Sequence, residues 1–475
     1  MSKSQKNTVL VLYLLFFSLI GPLIFWISYR QGQGALEVRQ SQQPFSSLFN
    51  SNTSKSIQER ISLGAKVLVT ADNSPDKQAG VQAFASGNFT SAVNKFSSSL
   101  QLNRNDPEAW IYLSNAAAAV NGNVVKIGVS VPIGGNLNVA REILRGVAQA
   151  QYEINHNGGV GGTLAQVEIA NDDNDPQLAK QIAESFVQDG RILAVVGHNS
   201  SDASIAAAPV YQQGGLVMIS PTSVATNLSG IGNSYIFRTT PNVRVMADAL
   251  SHYAVTQAHK TKMAICADSQ AQASQSFKQE FTSAMFENGG KVTNTACDFA
   301  SSNFNPSEIP SQAISDGADG LLLAPAVNKI DQAMDVVKAN KGRLALLGSQ
   351  TMYTISTLQQ GQVFANGTVL AVVWEPSAVA SSSYAVNAKR FWGGPGSWRT
   401  AMAYDATNVV FAGLKSGLRR DQLQKTLLSS GFSLNGTTGV IQFLPSGDRH
   451  APASLVKIQP GRNSGTGYDF VPFRP

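Results

Sequence analysis

Four short polar segments hold the groups with which this chain could do chemistry. They are Pro132-Ile-Gly-Gly135, Asn171-Asp-Asp-Asn-Asp175, Gly197-His-Asn-Ser-Ser201 and Ser220-Pro-Thr-Ser223. Each closes an apolar run. Their hydroxyls, carboxylates, amides and bare backbone suit the grip of a small polar molecule by hydrogen bonds. None of the four sets a nucleophile beside its base, so covalent catalysis has no starting point here. The third segment makes the sharpest case. A helical pattern opens near Asp202, directly after Ser200 and Ser201. The first turn of a helix offers free N–H groups and the positive end of its dipole. Ser201 is expected to cap that helix and to donate to an anion, which makes a corner for a carboxylate. Plain capping without a ligand is the alternative.

Other motifs exclude more than they offer. Gly158-Gly-Val-Gly-Gly162 follows a helix rather than a strand and has no Lys-Ser/Thr after it, so it reads as a turn and not a phosphate loop. HExxH, GxSxG and paired CxxC patterns are absent. His156 and His198 sit near element ends without an evident metal partner. No metal, no cofactor and no enzymatic activity are expected.

The elements that must position these segments follow from periodicity. Apolar stretches at 124–131, 165–170, 192–197, 216–220, 262–267, 291–297, 319–324, 343–348 and 369–374 read as strands, most of them buried on both faces. Helical patterns fill 139–156, 176–189, 202–213, 243–257, 273–288, 307–316, 328–340, 398–416 and 419–430. This alternation implies βαβ units and parallel sheets, with ligands outside the carboxyl ends of the strands. So many strands exceed one small sheet, and two α/β lobes with a cleft between them are expected. Gly436 to Val456 reads as short strands with a turn at Pro445-Ser-Gly, and 461–475 as a C-terminal tail.

A chain of 475 residues, 43% hydrophobic and 14% charged, suggests about three globular domains. The net charge of +6 is spread without basic clusters, which argues against nucleic acid. Residues 1–31 place Lys3 and Lys6 before an apolar run from Thr8 to Tyr29, long enough to cross a bilayer. The run ends in Phe25-Trp-Ile-Ser-Tyr-Arg30, interface anchors rather than a cleavage site. A transmembrane signal anchor is expected, with the rest of the chain on the extracytoplasmic side, periplasmic or cell-surface. Residues 32–56 read as a flexible linker. Cys266 and Cys297 end two consecutive strands; they either pair or remain buried thiols.

Residues 57–120 are helical in pattern, with Ser74-Pro75-Asp76 as a helix start. Gly87, Phe89, Ala92, Phe96, Asp106-Pro107 and Trp110 resemble one tetratricopeptide repeat plus the first helix of a second. Arg104 departs from that pattern, where Pro is usual. Two uses stay open: a helical spacer packed on the main domain, or a groove for a protein partner.

The main domain resembles the type I periplasmic solute-binding proteins of the branched-chain amino acid (leucine/isoleucine/valine) family. The residues that carry this are Val125-Lys-Ile-Gly-Val before Pro132, Leu144-Arg-Gly-Val, Asn155 with Gly158-Gly-Val-Gly-Gly162, and Asn171-Asp-Asp173 with Asp175-Pro176. They continue with Ala194-Val-Val-Gly-His198 before Ser200-Ser201, Gly215-Leu-Val-Met-Ile-Ser-Pro221, Phe237-Arg-Thr-Thr-Pro241 and Ala403-Tyr-Asp-Ala406. The resemblance implies a two-lobed fold over 124–460, closing as a hinged clamp. Lobe 1 would hold about 124–244 and 379–430, lobe 2 about 245–378 and 431–460.

The resemblance also implies ligand-binding positions. Ser201, with Ser200 beside it, matches the serine that holds a ligand carboxylate, and Thr222 matches a carbonyl contributor. The family's threonine position is Val224 here, which Ser223 or Thr226 would have to replace. A lobe 2 tyrosine falls at Gln272 or Ala273, and another near Ala326. The acid that neutralises a ligand ammonium falls at Gln350. A neutral amide does not offset a buried ammonium as a carboxylate does. The ligand expected is therefore an amino acid, amide, urea-like compound or organic acid. Asp172, Asp173, Asp268 and Asp405 could each restore an anionic contact, or serve as loop caps. The function implied is the solute-binding protein of an ABC importer, with a permease and ATPase as partners. The alternative is a membrane-anchored sensor or assembly module that uses the same clamp.

Overall fold

Short runs of Val, Ile, Leu and Ala bounded by Gly or polar residues form the parallel strands, because such runs can be covered on both faces. The computed structural model describes residues 56–229, 234–376, 382–394 and 396–473. The expected membrane anchor at 1–31 and the linker at 32–56 (Ser56 apart) lie outside the described residues. Among the described residues no helix is long and apolar enough to cross a membrane.

The first sheet is six-stranded, in the order β1-β3-β2-β4-β5-β6. Its members are β1 (Ile61–Ser62), β2 (Val124–Val131), β3 (Leu164–Asn171), β4 (Ile192–Val196), β5 (Val217–Ser220) and β6 (Ile236–Arg238). All neighbours run parallel except β1, which pairs antiparallel with β3 through Ile61↔Ala170 and Ser62↔Ile169. The second sheet takes β7 (Lys262–Ala267), β8 (Lys291–Val292), β9 (Gly320–Ala324), β10 (Ala345–Gly348) and β11 (Val369–Val372). A hairpin, β12 (Leu434–Gly436) and β13 (Gly439–Ile441), follows on its own. Then β14 (Ser454–Pro460) and β15 (Tyr468–Phe473) complete the second sheet in the order β15-β14-β11-β10-β9-β7-β8.

Four expectations need correction. Residues 461–475, read as a tail, contain β15, an antiparallel edge strand on β14. Pro472 hides it, since proline is tolerated in a sheet only at such an edge. The hairpin β12–β13, assigned by its position to lobe 2, packs through Ile441 into the lobe 1 core. The strand expected at 291–297 pairs only at Lys291 and Val292, with a further bridge from Ala267 to Asp298. Residues 57–72 are not helical throughout, because β1 lies within them. Two helices, Ile355–Ala365 and Ser383–Trp392, add to those expected from the pattern.

Cys266 and Cys297 form a disulfide, with Cα atoms 4.6 Å apart. Ahead of the sheets, helices Pro75–Ala85, Phe89–Leu102 and Pro107–Asn121 form an antiparallel array. It packs against lobe 1: Tyr112, Phe96 and Ile111 share one apolar cluster with Ile127 and Val129 of β2. A buried ionic knot fastens the array. Lys77 Nζ lies 2.7 Å from both Asp106 Oδ2 and Glu108 Oε2. Glu108 Oε1 in turn accepts from the Leu68 N–H at 2.7 Å.

The long helix Trp398–Leu414 serves both halves. Trp398, Ala401 and Met402 join the lobe 2 core, while Ala403, Ala406, Val409 and Val410 join that of lobe 1.

Candidate functional site

The four polar segments converge at the carboxyl ends of the lobe 1 strands, where the chain turns from strand to helix. Close backbone approach shapes them. A Cβ on Gly135 would lie 2.1 Å from the Asp173 carbonyl oxygen, and one on Gly197 would lie 2.7 Å from that of Ser130. Gly197 also takes φ +139°, which L side chains rarely adopt.

The helix at the third segment runs from Ser201 to Gln213, so its cap is Ser200, not Ser201 as the sequence suggests. Ser200 Oγ accepts from the Ala203 N–H at 3.1 Å. Ser201, already the first helical residue, turns its Oγ to the next loop and accepts from the N–H groups of Val224 and Ala225, both at 3.2 Å. Thr222 Oγ1 donates to the Asn199 carbonyl at 2.8 Å. Ser223 Oγ pairs with Ser204 Oγ at 2.7 Å. All of Ser201, Thr222 and Ser223 are buried.

Beneath these loops lies a charged support. His198 Nδ1 meets Asp172 Oδ2 at 2.7 Å, and Ser130 Oγ donates to the same oxygen at 2.8 Å. His198 Nε2 meets the Tyr211 hydroxyl at 3.1 Å. Burial, with Asp172 nearby, pushes the Tyr211 hydroxyl well above its usual range. Arg238, buried at the end of β6, donates from Nη1 to the Ala225 carbonyl at 2.8 Å and pairs through Nε with Asp448. Arg238 lies in a stretch that carries the family resemblance, yet sequence reasoning gives it no role; its signal is a charge directly after an apolar strand.

The aspartates weighed as ligand contacts are engaged in structure. Asp173 pairs with Arg60, and Asp405 accepts from the Thr437 and Thr438 N–H groups at 2.8 and 2.9 Å. Burial raises the Asp405 carboxyl even against those hydrogen bonds. Asp268 Oδ1 accepts from the Gln270 N–H at 2.9 Å, a turn contact.

The lobes meet where two helix starts face each other. The Gln272 N–H donates to Asp202 Oδ1 at 3.2 Å, and Asn227 Nδ2 donates to Gln272 Oε1 at 3.0 Å. Burial raises the Asp202 carboxyl above its ordinary range; the Gln272 N–H opposes that, and Asp268 adds to it. Val224 of lobe 1 enters the same apolar cluster as Trp374 and Tyr384. Gln272 is thus a residue of lobe-to-lobe contact.

Gln350 belongs to a second group, on lobe 2. Ser349 and Gln350 follow β10, and Trp374 follows its parallel neighbour β11. Ser349 Oγ, Gln350 Oε1 and Trp374 Nε1 are all buried, and none has a hydrogen-bond partner among the described residues. Sequence reasoning does not pick out Ser349 and Trp374. Neither residue type nor spacing marks an unpartnered atom.

Among the described residues no group of three or more His, Cys, Asp or Glu side chains is placed to hold a metal.

Comparison with known proteins fits this geometry. The chain is 35% identical over 115 residues to an amino acid binding protein of Pseudomonas aeruginosa, which covers 24% of this chain and 31% of that protein. It is 30% identical over 158 residues to the Leu/Ile/Val-binding protein of Escherichia coli, covering 33% and 42%. The chain therefore aligns with less than half the length of these curated relatives. A leucine binding protein of Thermotoga maritima shares the fold, with a TM-score of 0.65 at 19% identity, over 74% of this chain and 99% of that one. The family model described as periplasmic binding protein matches residues 124–463, which take in every strand of the two sheets except β1 and β15 together with the helix the two lobes share, and the chain belongs to that family.

Proposed function

We propose that this protein is the extracytoplasmic solute-binding component of an ABC importer, that it holds a small polar solute between its lobes, and that residues 1–31 anchor it to the membrane. The observation that carries the reading is the lobe 2 group. Burying polar atoms without partners is costly, and native structures avoid it unless something else supplies the partner. Here one acceptor (Gln350 Oε1), one donor (Trp374 Nε1) and one hydroxyl (Ser349 Oγ) wait at the same end of adjacent strands. A solute with an N–H donor and an acceptor completes them. Gln350 gives no full negative charge, so a neutral amide or urea donor fits better there than an ammonium. Ser200, Ser201, Thr222 and Ser223 form the opposing wall, and Gln272 closes its edge.

The names of the relatives, which bind amino acids, support solute capture of this kind. Thermal-shift screening of amino acids, primary amides, ureas and short organic acids tests it. A solute at 100 times its Kd adds about 2.7 kcal/mol to the folded state and raises the melting temperature. If no member of the four classes raises it, the reading fails.

A second reading keeps the clamp and changes its output to sensing or assembly. The three-helix array fused to lobe 1 favours it, since a shuttle has no need of one. Solute binding without import in reconstituted membranes would select it.

A further inference from the structure

We propose that Arg60, in the segment ahead of the family domain, is a positioning residue for the strand-end loops of lobe 1. The inference rests on the reading of those loops as the solute-binding wall. Two of the segment's contacts bear on this. Strand β1 extends the sheet beside β3, and next to it Arg60 Nη1 lies 2.6 Å from Asp173 Oδ2 and donates to the Asn171 carbonyl at 3.4 Å. The Arg60 and Asp173 side chains are only 14% and 25% exposed, so this is not the freely solvated pair that contributes little.

From Asp173 the line continues through each of the four polar segments. Its second oxygen, Oδ1, accepts from the Gly134 N–H at 2.7 Å. Asp173 and Asn174 take φ of +54° and +59°, a left-handed turn that needs holding in residues other than glycine. Asn174 Oδ1 accepts from Asn199 Nδ2 at 3.1 Å, and the Asn199 carbonyl accepts from Thr222 Oγ1 at 2.8 Å. One guanidinium outside the family match therefore begins a path of hydrogen bonds, joined through the Asp173-Asn174 backbone and through Asn199, that ends at Thr222. The segment carrying Arg60 is part of the binding wall's support, and any displacement of it reaches the wall.

Amide hydrogen exchange on the full chain, read by mass spectrometry, tests this without a solute, so a failed solute screen and a failed exchange comparison are separate results. In Arg60→Ala, exchange is expected to rise about fivefold or more at Gly134 and in 198–204 and 220–226. Arg60→Lys, which keeps the charge, is expected to restore most of the protection. Should Arg60→Ala fail to fold, Asp173→Asn is the second variant. It keeps an acceptor for Gly134 and loses the ion pair, and the same spread of exchange is expected. Faster exchange confined to 56–62 and 171–175, with 198–204 and 220–226 unchanged, would overturn the proposal and leave Arg60 as a local staple.

Discussion

The two sets of strand ends that face each other are built to opposite rules. On lobe 1, Ser201, Thr222, Ser223, Asp172 and His198 all find partners within the chain, and Arg238 holds the Ala225 carbonyl from behind. On lobe 2, Ser349, Gln350 and Trp374 each bury a polar atom that has no partner among the described residues. A satisfied network is rigid and hard to alter, whereas an unsatisfied one costs stability until something arrives to complete it. On the proposed function, lobe 1 would serve as a preformed platform, and lobe 2 would carry the polar atoms that a guest completes.

Substitutions can break or sharpen that contrast. The largest effect is expected on the platform. Arg238→Leu leaves the buried Asp448 without its cation, with hydroxyl and amide donors alone, and should cost about 3–5 kcal/mol in urea unfolding. An effect near zero would mean the platform is not held from behind. On lobe 2 the comparable loss comes from the disulfide rather than from a polar group. The Cys266→Ala/Cys297→Ala double variant releases a loop of sequence separation 31 and should lose about 3–4 kcal/mol by the chain-entropy estimate.

At the lobe junction the effect is smaller and depends on pH. The Asp202 carboxyl is raised by burial, so the docked lobes bind its proton more tightly than the unfolded chain does. Its favourable contribution is complete below the ordinary carboxylate range and fades as pH rises through the raised value. Asp202→Asn, which keeps an acceptor for the Gln272 N–H, should flatten the fall in melting temperature as pH rises above the ordinary carboxylate range of about 4. An unchanged pH profile would remove Asp202 from the junction's energetics.

The smallest stability change is expected where the contrast is sharpest. Gln350→Leu removes an unmet acceptor and should alter unfolding by less than about 1 kcal/mol, in either direction. Solute affinity, measured by calorimetry with whichever compound the thermal screen identifies, should nonetheless fall at least tenfold. A large loss of stability with affinity intact would reverse the roles assigned to the two lobes.

Much of this is legible in the sequence because it is local. Val125–Val131 and Leu321–Leu323 announce buried strands by composition, and Asp175-Pro176 announces a helix start that the structure caps through the Asp175 side chain. The polar segments stand out for the same reason. What escapes depends on partners distant in the chain. A two-residue strand such as β1 has no periodicity to detect. Arg60 and Asp173 are 113 residues apart, and Arg238 and Asp448 are 210 apart. The exchange of cap between Ser200 and Ser201 turns on one residue of helix boundary, which sequence patterns do not resolve. The unpartnered atoms at Ser349 and Trp374 are a property of packing and leave no trace in residue type.

The helix Trp398–Leu414 carries one last consequence. Its first turn is set in one apolar core and its remaining turns in another, so its register is fixed twice. An α-helix advances about 100° per residue. Adding or deleting a single residue near Met402 would swing one buried face by that angle relative to the other. No repacking of side chains absorbs such a rotation. Changes in length are therefore expected to be tolerated in the loops around it and not within it, and this helix acts as the ruler against which the two halves of the molecule are kept in phase.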